Sequence, residues 1–209
     1  MHIYAFGSIC RGDVSKESDI DLLAVVDGFD PRLDPILFSI YSYKRIREIW
    51  AAGNPFAWHL YLEAKPLFLS DGSDFLHTLG VPACYVQHVR DCKKFLFLFI
   101  EARRSLEKNG NSCVFDLSTI FLSMRNIATC FSLGKTSAPV FSRSSALRLG
   151  KRSLIIDNET YKIFEQARIL CTRGKGSLLE KQAIEQAILS LDHIGEWMES
   201  LVMEAERDD

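Results

Sequence analysis

The sequence predicts an α+β protein, in which a small mixed β-sheet is followed by an antiparallel helical bundle. Three observations predict it. Short apolar runs rich in branched and aromatic residues, interrupted by polar and glycine-containing stretches, fill the chain up to about residue 80. From about residue 83 the apolar spacing changes to three and four, the period of a helix with one buried face. Capping residues then stand ahead of the two longest helical stripes. Residues 1–80 are therefore expected to form the sheet core and residues 81–209 the bundle.

Taken in order, the run from His2 to Phe6 ends at Gly7-Ser8, and the run from Ile20 to Val26 is almost continuously apolar. Both read as inner strands, with Ile20 and Leu22 turned into the core. The stretch between them is polar, contains Gly12 and suits a loop or short helix. Asp30-Pro31 supplies a cap followed by a first-turn proline, and Ala52-Gly53-Asn54-Pro55 supplies a stop, so a helix is expected over residues 31–51. The runs from Phe56 to Leu62 and from Leu67 to Leu69 read as two further strands, closed by Ser70-Asp71-Gly72-Ser73.

In the second half, helices are expected near residues 84–109, after Asp116, at 158–173 and after Ser177, making a bundle of four or five. After Asp116, residues Leu117, Ile120, Phe121, Met124, Ile127, Ala128 and Phe131 lie on one face, with Phe115 and Asp116 as staple and cap and Gly134 as terminator. Ser177-Leu178-Leu179-Glu180 reads as a capping box ahead of a single long stripe from Ile184 to Leu201. Phe95, Phe97 and Phe99 read as bundle core.

The composition narrows the possible functions. Twenty-five basic residues against twenty-seven acidic give a net charge of -2, which argues against a nucleic-acid or anionic-membrane partner and makes any phosphate recognition local. The longest apolar run, Phe95 to Ile100, is too short to span a bilayer, and Arg11 and Asp13 interrupt any secretory signal. The six cysteines are scattered without metal-ligand spacing, as expected of reduced, mostly buried thiols in a cytoplasmic protein.

One constellation carries chemistry. Asp19 and Asp21, one residue apart on a strand, project from the same face, and two such carboxylates repel each other unless a cation lies between them. A hard ion such as Mg2+ or Mn2+ suits oxygen ligands of this kind. Gly7 lets the backbone approach a phosphate, and Ser8 adds a hydroxyl beside backbone donors. The segment GSICRGDVSKESDIDLLAV, with Gly-Ser, ten residues and then Asp-Ile-Asp, resembles the signature of the DNA polymerase beta-like nucleotidyltransferases, including Gly12 and Ser18. The resemblance covers residues 4–26. It implies a mixed-sheet core in which Gly7 and Ser8 hold a nucleoside triphosphate, ATP foremost, while Asp19 and Asp21 hold two metal ions. A nucleoside monophosphate would then pass to a hydroxyl acceptor as pyrophosphate leaves.

That family adds a third carboxylate from a later strand. Here His59 stands where that acid is expected, and on an extended strand Glu63 would lie roughly 13 Å beyond it, too far to serve interchangeably. His59 joins Asp19 and Asp21 as a candidate catalytic residue, with a partly buried strand histidine as the alternative. Arg11 and Lys16 are candidates for triphosphate contact, or solvated loop charges.

A nucleotidyltransferase core followed by helices resembles minimal nucleotidyltransferases paired with HEPN-type bundles, and aminoglycoside nucleotidyltransferases. The arginine and nearby histidine of HEPN ribonucleases are not reproduced, since Arg125-Asn126 is followed by Ile127-Ala128-Thr129-Cys130. The expected activity is nucleotidyl transfer to a small molecule or protein. The alternative is a catalytically weak nucleotide-binding or antitoxin-like protein, whose bundle would meet a second copy or a partner protein.

Overall fold

A computed structural model describes residues 1–13, 20–108, 112–136 and 138–207. The chain divides into two compact units, Met1–Val86 and Gln87–Asp209. The fold is α+β, as the sequence predicts.

The first unit contains β1 (His2–Phe6), α1 (Ser8–Arg11), β2 (Asp21–Val26), β3 (Phe38–Ser42), α2 (Tyr43–Ala51), α3 (Pro55–Glu63), β4 (Lys65–Leu69) and α4 (Phe75–Thr78). The strands form one mixed sheet in the order β3-β2-β1-β4. β1 runs antiparallel to β2 and to β4, and β2 runs parallel to β3. Tyr4 stands opposite Leu23 and Phe6 opposite Asp21, which places these four side chains on one face. There Tyr4, Phe6, Leu23 and Val25 form a core with Ile46, Trp50 and Leu60 from α2 and α3. Fully burying a side chain such as Ile46 or Leu60 contributes about 1.5–3 kcal/mol. On the opposite face Ala24 and Val26 are buried beneath Leu33.

Two expected elements differ. Residues 31–51 are not one helix: Phe38-Ser39-Ile40-Tyr41-Ser42 forms β3 beside β2, and only Tyr43–Ala51 is helical, capped by the Ser42 side chain accepting from the Arg45 N–H at 3.1 Å. Asp30 instead accepts from the backbone N–H of Arg32 in a local turn. The expected strand from Phe56 to Leu62 is α3. Asn54 caps it by accepting from the Phe56 N–H at 2.8 Å, and Pro55 occupies the first turn, where its missing N–H costs nothing. Ile20 is 59% exposed rather than buried in the core.

The second unit contains α5 (His88–Lys108), α6 (Cys113–Lys135), α7 (Asn158–Arg173), α8 (Lys181–Leu189) and α9 (Leu191–Glu206). The predicted stripe on α6 is buried throughout, from Leu117 to Phe131. The caps differ from expectation. Phe115 is exposed, whereas Asp116 lies buried inside α6 and accepts from the hydroxyls of Ser105 (3.2 Å) and Ser112 (2.9 Å). Gly134 does not end the helix. A Cβ there would fall 2.3 Å from that of His88, so glycine admits the start of α5. Ser177 accepts from the Gln166 side chain instead of capping. The stripe that follows is split at Ser190, whose hydroxyl donates to the Ala187 carbonyl at 2.7 Å and competes with the helical ladder. Alternate residues cannot share a helical face, so Phe99 is buried while Phe97 is exposed. Of the cysteines, Cys92 and Cys130 are buried, and Cys84 and Cys171 are exposed. No helix among the described residues is long and apolar enough to cross a membrane.

Two turns make an acid-sensitive contribution. Asp71 is held down to about 2 by the N–H and hydroxyl of Ser73 and by His2, and Asp30 to about 2 by the Arg32 guanidinium and N–H. A depressed carboxyl stabilises the fold above its unfolded value of about 4, and that contribution is lost as the pH falls through about 2. Carboxyl 13C titration is expected to give both residues midpoints near pH 2. Ordinary midpoints near 4 would show that these turns do not form in solution.

Candidate functional site

The β1–β2 register sets the geometry. Because Phe6 pairs with Asp21, the residue following β1 reaches the first residue of β2. That residue is Gly7, with φ 76° and ψ -148°, a conformation open essentially to glycine alone. A Cβ on Gly7 would lie 2.3 Å from Oδ2 of Asp21, so the carboxylate is seated where any other residue would carry its side chain. Ser8 opens α1, one turn that ends at Gly12 in the left-handed conformation. Gly7, Ser8 and Asp21 therefore meet at one corner of the sheet. Asp21 is exposed there, in line with the buried Leu23 and Val25. Asp19 and Lys16 lie outside the described residues.

The helical α3 brings His59 and Glu63 together instead of holding them apart, because residues four apart lie on the same helical face. Nε2 of His59 is 2.8 Å from Oε2 of Glu63. The imidazole packs edge-on against Phe6, with ring centroids 5.5 Å apart, which fixes this end of α3 over the residue that precedes Gly7. Tyr61 turns away from this face toward Trp50 and Trp58.

Arg11 completes the cluster. Its Nη1 donates to the same Oε2 of Glu63, and its Nε donates to Asp13 at 3.1 Å. The side chains of Arg11, His59 and Glu63 are only 20%, 13% and 11% exposed. A carboxylate this buried is costly unless paired, and here two donors share one of its oxygens. Arg11 thus ties α1 to α3. Burial pushes the neighbouring Cys10 thiol up, with Lys65 opposing the shift, Glu63 reinforcing it, Arg11 opposing it and Asp21 reinforcing it.

Sequence reasoning missed Glu63 as a member of this cluster, and Lys65 altogether. The four-residue spacing of His59 and Glu63 was the available signal for the first, once Asn54-Pro55 is recognised as a helix start. Lys65 reaches the site through its pairing opposite Ala5 on β1, which no local pattern announces. The described strands β3 and β4 carry no carboxylate beside Asp21. Among the described residues no group of three histidine, cysteine or acidic side chains converges as a metal site.

Residues 2–67 match the family model of the nucleotidyltransferase domain. The match supports nucleotidyl transfer as the general reaction class and implies a nucleoside triphosphate substrate. The match does not extend into the second unit, Gln87–Asp209. No curated protein and no solved structure matches the chain significantly.

Proposed function

We propose that the chain transfers a nucleoside monophosphate, ATP being the foremost donor, to a hydroxyl of a small molecule or protein, with Asp19, Asp21 and His59 as the catalytic residues. The observation that carries this reading is the carboxylate of Asp21 seated against the Cβ-less Gly7. The fit to a divalent cation rests on that seat, since Asp21 is exposed and hard oxygen donors suit Mg2+ or Mn2+. Asp19 and Asp21 would hold the metal, which supplies neutralisation of the triphosphate charge.

The chain's own residues do the rest. Gly7 and Ser8 bind the triphosphate with backbone and hydroxyl donors, and Lys16 and Arg11 add cationic contacts. Glu63 orients His59 through Nε2, and the imidazole takes the proton of the acceptor hydroxyl. The hydroxyl oxygen attacks the α-phosphorus, the bond to the bridging oxygen breaks and pyrophosphate leaves. We assign this chemistry to residues 1–80 and contacts with a second copy or a partner protein to the bundle, residues 81–209, in a cytoplasmic setting.

Incubation with Mg2+ or Mn2+ and α-labelled triphosphates tests the assignment. Asp21→Asn is expected to lower label transfer by about 100-fold or more. Transfer that survives this change would sink the site. The strands β3 and β4, which bring no acid to Asp21, favour a second reading as a nucleotide-binding, antitoxin-like interaction protein. Binding of triphosphate without transfer to any acceptor would select it.

A further inference from the structure

Beside the nucleotide corner, but on the neighbouring side of α3, the first unit holds a cleft of about 320 Å³. This is within the size range of small-ligand pockets. Its walls are Leu60, Leu76, Val81 and the ring of Tyr61, and its polar floor is formed by Tyr4 and Asp74. Tyr61 is held edge-on to Trp50 and Trp58, with centroids 6.4 and 5.9 Å away. Tyr4 stands three residues before Gly7 on β1, so the cleft lies about 10 Å along the strand from the nucleotide corner.

The floor is oriented and charged. The Tyr4 hydroxyl donates to Oδ1 of Asp74 at 3.0 Å and accepts from the Leu76 N–H at 3.1 Å. The His77 N–H donates to the same Oδ1 at 3.2 Å. Among the described residues, Oδ2 of Asp74 makes no hydrogen bond and the carboxylate enters no ion pair. No lysine or arginine lines the cleft, and His77 is the basic side chain among its lining residues. An anion in a partly apolar cleft, fixed at one oxygen and lacking a lysine or arginine partner, is completed by a ligand that brings positive charge and hydrogen-bond donors. The ring of Tyr61 adds a face that favours a cation, whereas a phosphate would be repelled.

The geometry points to a second binding site here, for a small organic cation: a protonated amine or amidinium with a compact apolar or aromatic body. It does not depend on the nucleotidyl-transfer reading. Benzamidinium suits the cleft as a probe, with neutral benzamide and anionic benzoate as matched controls of the same shape.

Calorimetric titration of the full chain is expected to show saturable benzamidinium binding, with benzamide and benzoate weaker by at least about tenfold. Asp74→Asn keeps a capping side chain and removes the charge, and is expected to weaken benzamidinium by a similar factor of about ten. Should Asp74→Asn fail to fold, Val81→Trp provides the test. Val81 is exposed at the rim, so a larger side chain there blocks the cleft without entering the core. Loss of benzamidinium binding in Val81→Trp, with the thermal unfolding transition of the parent retained, supports the site. Unsaturable binding, equal affinity for benzoate, or affinity unchanged in a folded Asp74→Asn or in Val81→Trp would overturn it.

Discussion

Gly7→Ala is expected to destabilise the N-terminal unit by about 1–3 kcal/mol and to remove nucleotidyl transfer. The stability loss comes from the backbone: φ 76° with ψ -148° lies in a region that a Cβ-bearing residue enters only under strain. The functional loss comes from the 2.3 Å approach between the new methyl and Oδ2 of Asp21. The backbone of β2 is fixed by its pairing with β1 and β3, so the carboxylate must rotate away from the place where it would meet a metal. Equilibrium urea unfolding measures the first effect and label transfer the second. A variant as stable and as active as the parent would show that the corner is not built as described. Ser8→Ala, one residue on, leaves the backbone conformation accessible and is expected to have a much smaller effect on stability.

The second large effect is expected at Glu63. Glu63→Ala leaves the Arg11 guanidinium and His59 without their shared acceptor in surroundings where each is at most 20% exposed. Breaking a fully buried pair costs about 3–5 kcal/mol, and the residual solvent here reduces the expectation to about 2–3 kcal/mol. Glu63→Gln keeps an oxygen acceptor and is expected to recover part of that loss. The contacts form one unit, so Arg11→Met combined with Glu63→Ala should cost less than the sum of the two single changes by about 1 kcal/mol or more. If Glu63 acts through His59, Glu63→Gln lowers kcat while leaving KM for the triphosphate nearly unchanged. Strict additivity in the double variant, or an effect on KM alone, would separate Glu63 from both roles.

Much of the N-terminal unit was legible because its inner strands are buried on both faces, and such strands write a continuous apolar run. His2 to Phe6 and the segment ending at Val26 behave in this way. The Gly-Ser corner was legible for a different reason, since its residues are required by a backbone conformation and a close approach. β3 was hidden because it is an edge strand, bonded only to β2, and its half-exposed Phe38-Ser39-Ile40-Tyr41-Ser42 lacks an inner strand's signal. α3 was hidden by its composition. Phe56, Trp58 and Tyr61 favour a strand locally, but the Asn54 cap and Pro55 decide for a helix, and the same two residues read equally well as the end of α2. That one ambiguity separated His59 from Glu63 and concealed the cluster with Arg11. In the helices, periodicity located the buried faces, whereas the caps depended on tertiary partners: Gln166 claims Ser177, and two serines claim Asp116.

The place of β1 in the sheet also sets a schedule for the nascent chain. β1 is synthesised before the other three strands, yet it is bonded on both sides, and its second neighbour, β4, begins only at Lys65. Residues 7–64 must emerge before that side of β1 is covered. At translation rates of about 5–20 residues per second, its N–H and C=O groups remain unpaired for roughly 3–12 s. During that interval the strand that ends at Gly7 is open to pairing with other chains. Crowded polysomes and overexpression are thus conditions expected to favour such pairing.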